Sequence, residues 1–210
     1  MIGDRGLKKL NIKRILGVIL ILFGISFIAY PFIEIKLDNN KIKDNIEGWD
    51  SKKSEVLKNM DNIKIEDGKG KDKKTKTIKV DGKEIYGKII VEKTGEEIPL
   101  LIGATEENLK DGANIYDNGI LPGENGTVII LGHRETTFGF LENIKENDKI
   151  EIETLGRTYT YKVNKTFITK PDDKKILENK KGKNLTLVTC YPFKYMGPAP
   201  ERFIVNLTEV

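Results

Sequence analysis

Asn184-Leu185-Thr186-Leu187-Val188-Thr189-Cys190-Tyr191-Pro192-Phe193 is the stretch whose reading decides the fold. Apolar and β-branched residues run straight up to the thiol, and a proline two positions later ends the run. That pattern predicts a buried strand with Cys190 at its mouth. Cys190 is the only cysteine in 210 residues, so no internal disulfide forms and the thiol stays available for chemistry. The only histidine, His133, closes a similar run, Thr127-Val128-Ile129-Ile130-Leu131-Gly132-His133-Arg134. Arg202 stands just before a third, Phe203-Ile204-Val205-Asn206-Leu207. A lone cysteine is more often a small buried hydrophobe than a nucleophile, and a lone histidine or arginine means little. The three together, each where a strand meets a loop, point to a thiol nucleophile with a proton-transfer partner and a cation.

Strand patterns continue on both sides of these runs. Lys76–Ile85, turning at Asp81-Gly82, reads as a small type I′ hairpin. Ile85–Val91 and Ile98–Ile102 are further strands, and Pro99 suggests that the second lies at a sheet edge. Thr105 followed by Glu106-Glu107 caps a short helix that ends near Gly112. Turns are expected at Asp117-Asn118-Gly119 and Pro122–Gly126. Phe138–Ile144 is a short apolar helix or turn. Lys149–Leu155 alternates as a half-buried strand and turns through Gly156-Arg157 into Thr158–Ile168. Pro171-Asp172-Asp173 opens a short helix through Ile176, Leu177 and Glu178. About eight short strands with short helical connections suggest a closed barrel, although this reading alone leaves a sandwich open.

The N-terminal third is different. Residues 1–14 are basic, and residues 15–33 carry no charge. At about 1.5 Å per residue, residues 15–33 nearly cross a hydrocarbon core of about 30 Å. The run ends Phe27-Ile28-Ala29-Tyr30-Pro31, unlike the small-residue site of a cleaved leader, so an uncleaved transmembrane anchor is expected. Positive charge before it keeps the N-terminus in the cytoplasm and the rest outside. Residues 34–75 form a charged stalk and linker. Within it, Ile46, Trp49 and Glu55–Met60 give either a short amphipathic helix or a solvated segment, and Asp67–Lys74 is a flexible linker. Residues 76–210 form the folded domain. With 36 basic and 32 acidic residues the net charge is only +4, which argues against nucleic-acid binding. No phosphate-binding glycine loop, dinucleotide fingerprint or metal-spaced cluster is present, and no cofactor is expected. Glu106, Glu107 and Asp111 have the spacing of a solvated helix, so no metal is expected either.

Thr186-Leu187-Val188-Thr189-Cys190 resembles the Thr-Leu-x-Thr-Cys signature of sortases, the membrane-anchored cysteine transpeptidases of Gram-positive bacteria. The resemblance extends to Gly132-His133, to Pro122–Gly126 and to Arg202, covering roughly residues 84–210 plus the anchor. It implies an eight-stranded β-barrel with short peripheral helices, preceded by one transmembrane helix. It also implies cleavage of a Leu-Pro-x-Thr-Gly-like sorting signal after its Thr, through a thioester on Cys190. The acceptor would be an amine of a peptidoglycan cross-bridge or a pilin lysine, and the substrates surface or pilin proteins. The stretch from Tyr191 to Arg202 looks most like class D, with class A second. No Asp-Pro-aromatic lid precedes the barrel and no second span follows the last strand, so the pilus-polymerising class fits less well.

The chemistry assigns the parts. A thiolate is the reactive form of cysteine, and an imidazole can take its proton and later give one to a leaving amine. Arg202 offers a charged fork of donors to a developing oxyanion, with the Tyr191 N–H as a second donor. Thr189 orients substrate or Arg202. The segment from Ile168 to Asn184 corresponds to the family's substrate-recognising loop, where Ile168, Pro171, Ile176 and Leu177 are expected to receive the Leu-Pro part. Other cysteine acyltransferases fit poorly: an L,D-transpeptidase places His where Val188 stands, and a papain-like peptidase sets its Cys on a helix upstream of the His. A non-enzymatic anchored β-domain that binds wall or a partner protein is the remaining alternative.

Overall fold

The computed structural model describes residues 12–61, 77–117, 119–195 and 197–210. Residues 1–11 of the basic segment 1–14 and the expected linker 67–74 lie outside the described residues. The chain divides into two compact units, Met1–Leu37 and Asp38–Val210. Helix α1, Ile12–Asp61, contributes to both. In the first unit Leu16, Ile19, Phe23, Phe27 and Ile33 are all exposed, so the helix is apolar all round. Its length and composition are those of a membrane span.

Among the described residues of the second unit nine strands follow: β1 Ile78–Val80, β2 Lys83–Val91, β3 Glu96–Ile102, β4 Ala113–Ile115, β5 Gly126–Leu131, β6 Lys149–Thr154, β7 Thr158–Thr169, β8 Lys183–Tyr191 and β9 Glu201–Glu209. Their order is β1-β2-β3-β4-β5-β8-β9-β7-β6, and β6 pairs back onto β2. That last pairing closes an eight-stranded barrel with β1 outside the ring. The β1–β2 turn has positive φ at Asp81 and Gly82, as a type I′ hairpin requires. Helix α2 is only Glu106–Leu109, with the Thr105 side chain accepting from the Asn108 N–H. The connections also hold 3-10 turns at Gly139–Asn143 and Lys174–Leu177.

Strand β3 is not at an edge, contrary to the expectation from Pro99. It pairs with β2 on one side and with β4 on the other. The β4 ladder begins only at Leu100, so the missing N–H of Pro99 lies just short of it. The second unit also reaches back to Asp38, past the expected boundary at 76. Asn45 donates to the Asp111 carbonyl at 3.0 Å, and Trp49 packs with Ile78, Val80, Ile85, Leu101 and Leu155. Asn45, Trp49 and Val56 recur at helical spacing on one face, so this part of α1 is docked instead of solvated.

The barrel interior holds Val128 and Ile130 of β5, Leu185 and Leu187 of β8, and Val205 and Leu207 of β9. The alternate residues Ile129, Val188 and Ile204 face outward and are covered by Ile176 from the β7–β8 connection. Strands buried on both faces read as continuous apolar runs, which explains why β5 and β8 lack polar alternation.

Candidate functional site

Three neighbouring strands bring the predicted residues together. β8 and β9 are antiparallel, with Cys190 directly opposite Arg202. β5 runs parallel to β8, with Leu131 opposite Val188. His133 and Cys190 are each two residues further along that pair, and the ladder continues through a Gly132 N–H to Val188 carbonyl bond of 3.2 Å. Alternation sets the side-chain faces. Val188 and Ile204 share the outward cluster with Ile129, so Cys190 and Arg202 belong to that same outward face; His133 lies two residues past the end of β5, whose Leu131 packs on the same cluster. All three side chains are half-buried, which suits groups that must meet a substrate.

Local contacts fix each end. The buried Thr189 hydroxyl donates to the Gly132 carbonyl at 2.7 Å, tying the residue before the cysteine to the residue before the histidine. The Phe138 N–H donates to the His133 carbonyl at 2.8 Å. Gly132 is needed there, because a Cβ would come within 2.7 Å of the Phe138 ring. The Arg202 Nη1 donates to the Ala199 and Glu201 carbonyls at 3.2 and 2.9 Å. Among the described residues its Nε and Nη2 bond no protein acceptor, which leaves donors for a ligand. Neither the Cys190 thiol nor the His133 imidazole makes a hydrogen bond among the described residues. Such contacts often tighten only when substrate binds.

Other expected residues are placed differently. The Tyr191 ring turns to the interior side, stacked on Phe203 at 6.3 Å and edge-on to Phe193 at 6.0 Å. Ile168 is opposite Phe203 and therefore on that same inner side, whereas Thr169 is opposite Arg202. A shift of one residue along a strand exchanges faces, so Thr169, absent from the sequence reading, is the β7 residue beside Arg202. Ile176 is buried in the outward cluster and holds the β7–β8 connection down, while Pro171 and Leu177 are exposed. Thr169 also donates its hydroxyl to Asp173, which caps the second 3-10 turn by accepting from the Lys175 N–H at 2.9 Å. Those two hydrogen bonds, the hydroxyl's first, hold the Asp173 carboxyl below the ordinary range.

Sequence reasoning also gave no role to Arg134, although a cation directly beside the sole histidine was a visible signal. Glu107 and Asp111 both pair with Lys83, at 2.6 and 3.1 Å. Among the described residues no group of three metal-ligating side chains converges.

A thiol at the end of one strand, a guanidinium opposite it and an imidazole at the end of the parallel neighbour form the parts of an acyl-transfer site. Comparison with known proteins agrees. The sortase domain model matches residues 89–210. The chain belongs to the sortase family. A sortase D from Bacillus subtilis (strain 168) is 26% identical over 92% of this chain and 96% of its own length. A sortase A from Bacillus anthracis is also 26% identical, over 90% of this chain and 91% of its own. Among solved structures, sortase C1 from Streptococcus agalactiae superposes with a TM-score of 0.57 at 29% identity, covering 65% of this chain and 72% of that one. A Clostridium perfringens sortase D5 transpeptidase shares the fold, with a TM-score of 0.56 at 24% identity over 84% and 98% of the two chains. Sortases are cysteine transpeptidases that act on proteins with sorting signals, pilins among them, so the chain is an enzyme of that class and not a non-catalytic β-domain. Sortases are membrane-associated, and the apolar helix near the N-terminus fits an anchor.

Proposed function

We propose that this sortase is held in the membrane by residues 15–33, with its N-terminus cytoplasmic and its barrel outside, and that it cleaves a Leu-Pro-x-Thr-Gly-like signal after the Thr. Cys190 is the nucleophile, His133 the general acid and base, and Arg202 the oxyanion stabiliser. The Cys190 sulphur adds to the Thr carbonyl carbon while the Arg202 fork receives the oxyanion. Collapse breaks the Thr–Gly C–N bond, His133 protonates the departing amine, and the acyl group stays on sulphur as a thioester. An acceptor amine from wall precursor or a pilin lysine then adds to the same carbon. His133 takes its proton and the thiolate leaves. Pro171 and Leu177, exposed on the β7–β8 connection, receive the Leu-Pro part.

The observation that supports this reading is the opposition of Cys190 and Arg202 on adjacent strands, with His133 at the end of the strand alongside. Its test is turnover of a Leu-Pro-x-Thr-Gly peptide, with mass spectrometry for the acyl-enzyme. Cys190→Ala should show no turnover and no adduct. Arg202→Ala should lose about 100- to 1,000-fold in kcat, the scale for removing one oxyanion donor. A Cys190→Ala variant with normal turnover would refute the assignment.

A further inference from the structure

We propose that Arg134 is a positioning residue for the reaction: it clamps the loop that joins Cys190 to Arg202 and so sets where the Arg202 fork points. The proposal rests on the roles given above to Cys190 and Arg202. Arg134 is only 6% exposed, unusual for an arginine, and its guanidinium reaches across to the chain that follows β8. Nη1 donates to the Pro192 carbonyl at 2.8 Å, and Nη2 donates to the Tyr195 and Gly197 carbonyls at 2.8 and 3.1 Å. Nε pairs with Glu135. One planar fork therefore gathers three carbonyls spread over six residues of a loop whose described residues belong to no strand.

The same loop supplies the frame of Arg202. Its Nη1 is held by the Ala199 and Glu201 carbonyls, next along the chain from the three that Arg134 holds. Arg134 also follows His133 directly, so the fork ties the chain after the histidine to the chain after the cysteine. Thr189 makes the mirror connection, from the residue before Cys190 to the carbonyl before His133. The two ties bracket both residues. A rigid fork suits this task better than an ammonium, because Lys brings the charge but not donors fixed in one plane. Misplacement of a donor by about 1 Å can cost about 100-fold in rate, so a loosened loop should act on catalysis through Arg202.

The test is a double-mutant cycle on the full chain in detergent, with circular dichroism confirming the fold of each variant. Arg134→Lys and Arg134→Met should each lower kcat for a sorting-signal peptide by about 10- to 100-fold, with KM changed by less than about 3-fold. In an Arg202→Ala background the same substitutions should cost less than about 2-fold, because the group they position is gone. Alkylation of Cys190 by iodoacetamide should stay within about 2-fold of the parent in Arg134→Lys, since thiol and imidazole remain. Arg134→Lys keeps a cation in the same cavity and serves where Arg134→Met does not fold. Full activity of Arg134→Lys, or losses that simply multiply with Arg202→Ala, would overturn the clamp. If Cys190→Ala turned over peptide, the site reading itself would fall and take the proposal with it.

Discussion

Replacing Trp49 by alanine should cost the enzyme domain several kcal/mol, although Trp49 lies in a segment that one reading of the sequence leaves in solvent. Its side chain is fully buried against Ile78, Val80, Ile85, Leu101 and Leu155, with Val56 from the same helix alongside. An aromatic side chain of this size buries up to about 250 Å², worth about 6 kcal/mol at about 25 cal/mol per Å², an upper bound because the unfolded chain is partly collapsed. Large aromatic-to-alanine changes in cores cost about 3–5 kcal/mol. For a domain of this size each kcal/mol shifts Tm by about 2–4 °C, so Trp49→Ala should melt about 6–20 °C lower. Circular dichroism gives the melting curve. Fluorescence gives an independent reading, because Trp49 is the only tryptophan in the chain and its emission reports this contact alone. The parent should emit as a buried indole. Turnover of the folded variant well below its Tm should match the parent, since the residues around Trp49 belong to none of β5, β8 and β9. A melting drop under about 2 °C, or emission typical of an exposed indole in the parent, would show that α1 is not docked and that the reasoning is wrong.

Two further outcomes concern charge. Lys88 is buried under α1, 2.8 Å from Asp50, 2.9 Å from Glu97 and 3.9 Å from Glu153. Burial alone would lower its pKa, but the hydrogen bonds to Asp50 and Glu97 outweigh that and leave it raised. Its stabilisation is therefore complete below the ordinary lysine value of 10.5 and is lost only as pH climbs through the higher folded value. Lys88→Met should lose about 1–3 kcal/mol in urea unfolding at neutral pH, less than for a fully buried pair because the carboxylates are partly exposed. The gap to the parent should stay constant from pH 6 to 9; a gap that closes in that window would contradict the assignment. Asp173 behaves in the opposite sense. Its folded pKa is depressed, so its hold on the β7–β8 connection is present above the ordinary aspartate value of 3.8 and is lost as pH falls through the folded value. Hydrogen exchange over residues 170–182 should be flat from pH 5 to 8, once corrected for intrinsic rates, and should accelerate in Asp173→Ala at neutral pH. Equal protection in the variant would show that the cap does not hold the segment.

The most legible parts of the sequence were those where a local pattern and burial agree. β5 and β8 could be read as strands because both of their faces are covered, and the β1–β2 turn because Asp-Gly suits two positive φ values. The opposition of Cys190 to Arg202 is a matter of register, which no local pattern sets. It became plausible from the co-occurrence of three rare residues at strand ends and from the resemblance to sortases. β4 was invisible, because Ala113-Asn114-Ile115 is too short for a period and owes its place to the strands on either side. Trp49 and Val56 showed the right spacing for a helix face, but the surface they pack against comes from residues some thirty to a hundred positions later. Thr169 went unread as the β7 neighbour of Arg202, because a shift of one residue on a pleated strand exchanges faces and only the register with β9 tells Thr169 from Ile168.

The brevity of β4 has a mechanical consequence. β5 shares six residue pairs with β8 but only two with β4. If the barrel wall breathes, it should part along the thin seam at β4, and β5 should travel with β8 and β9 as one leaf. The sulphur, the imidazole and the guanidinium would then ride together, their spacing undisturbed while the wall beside them opens.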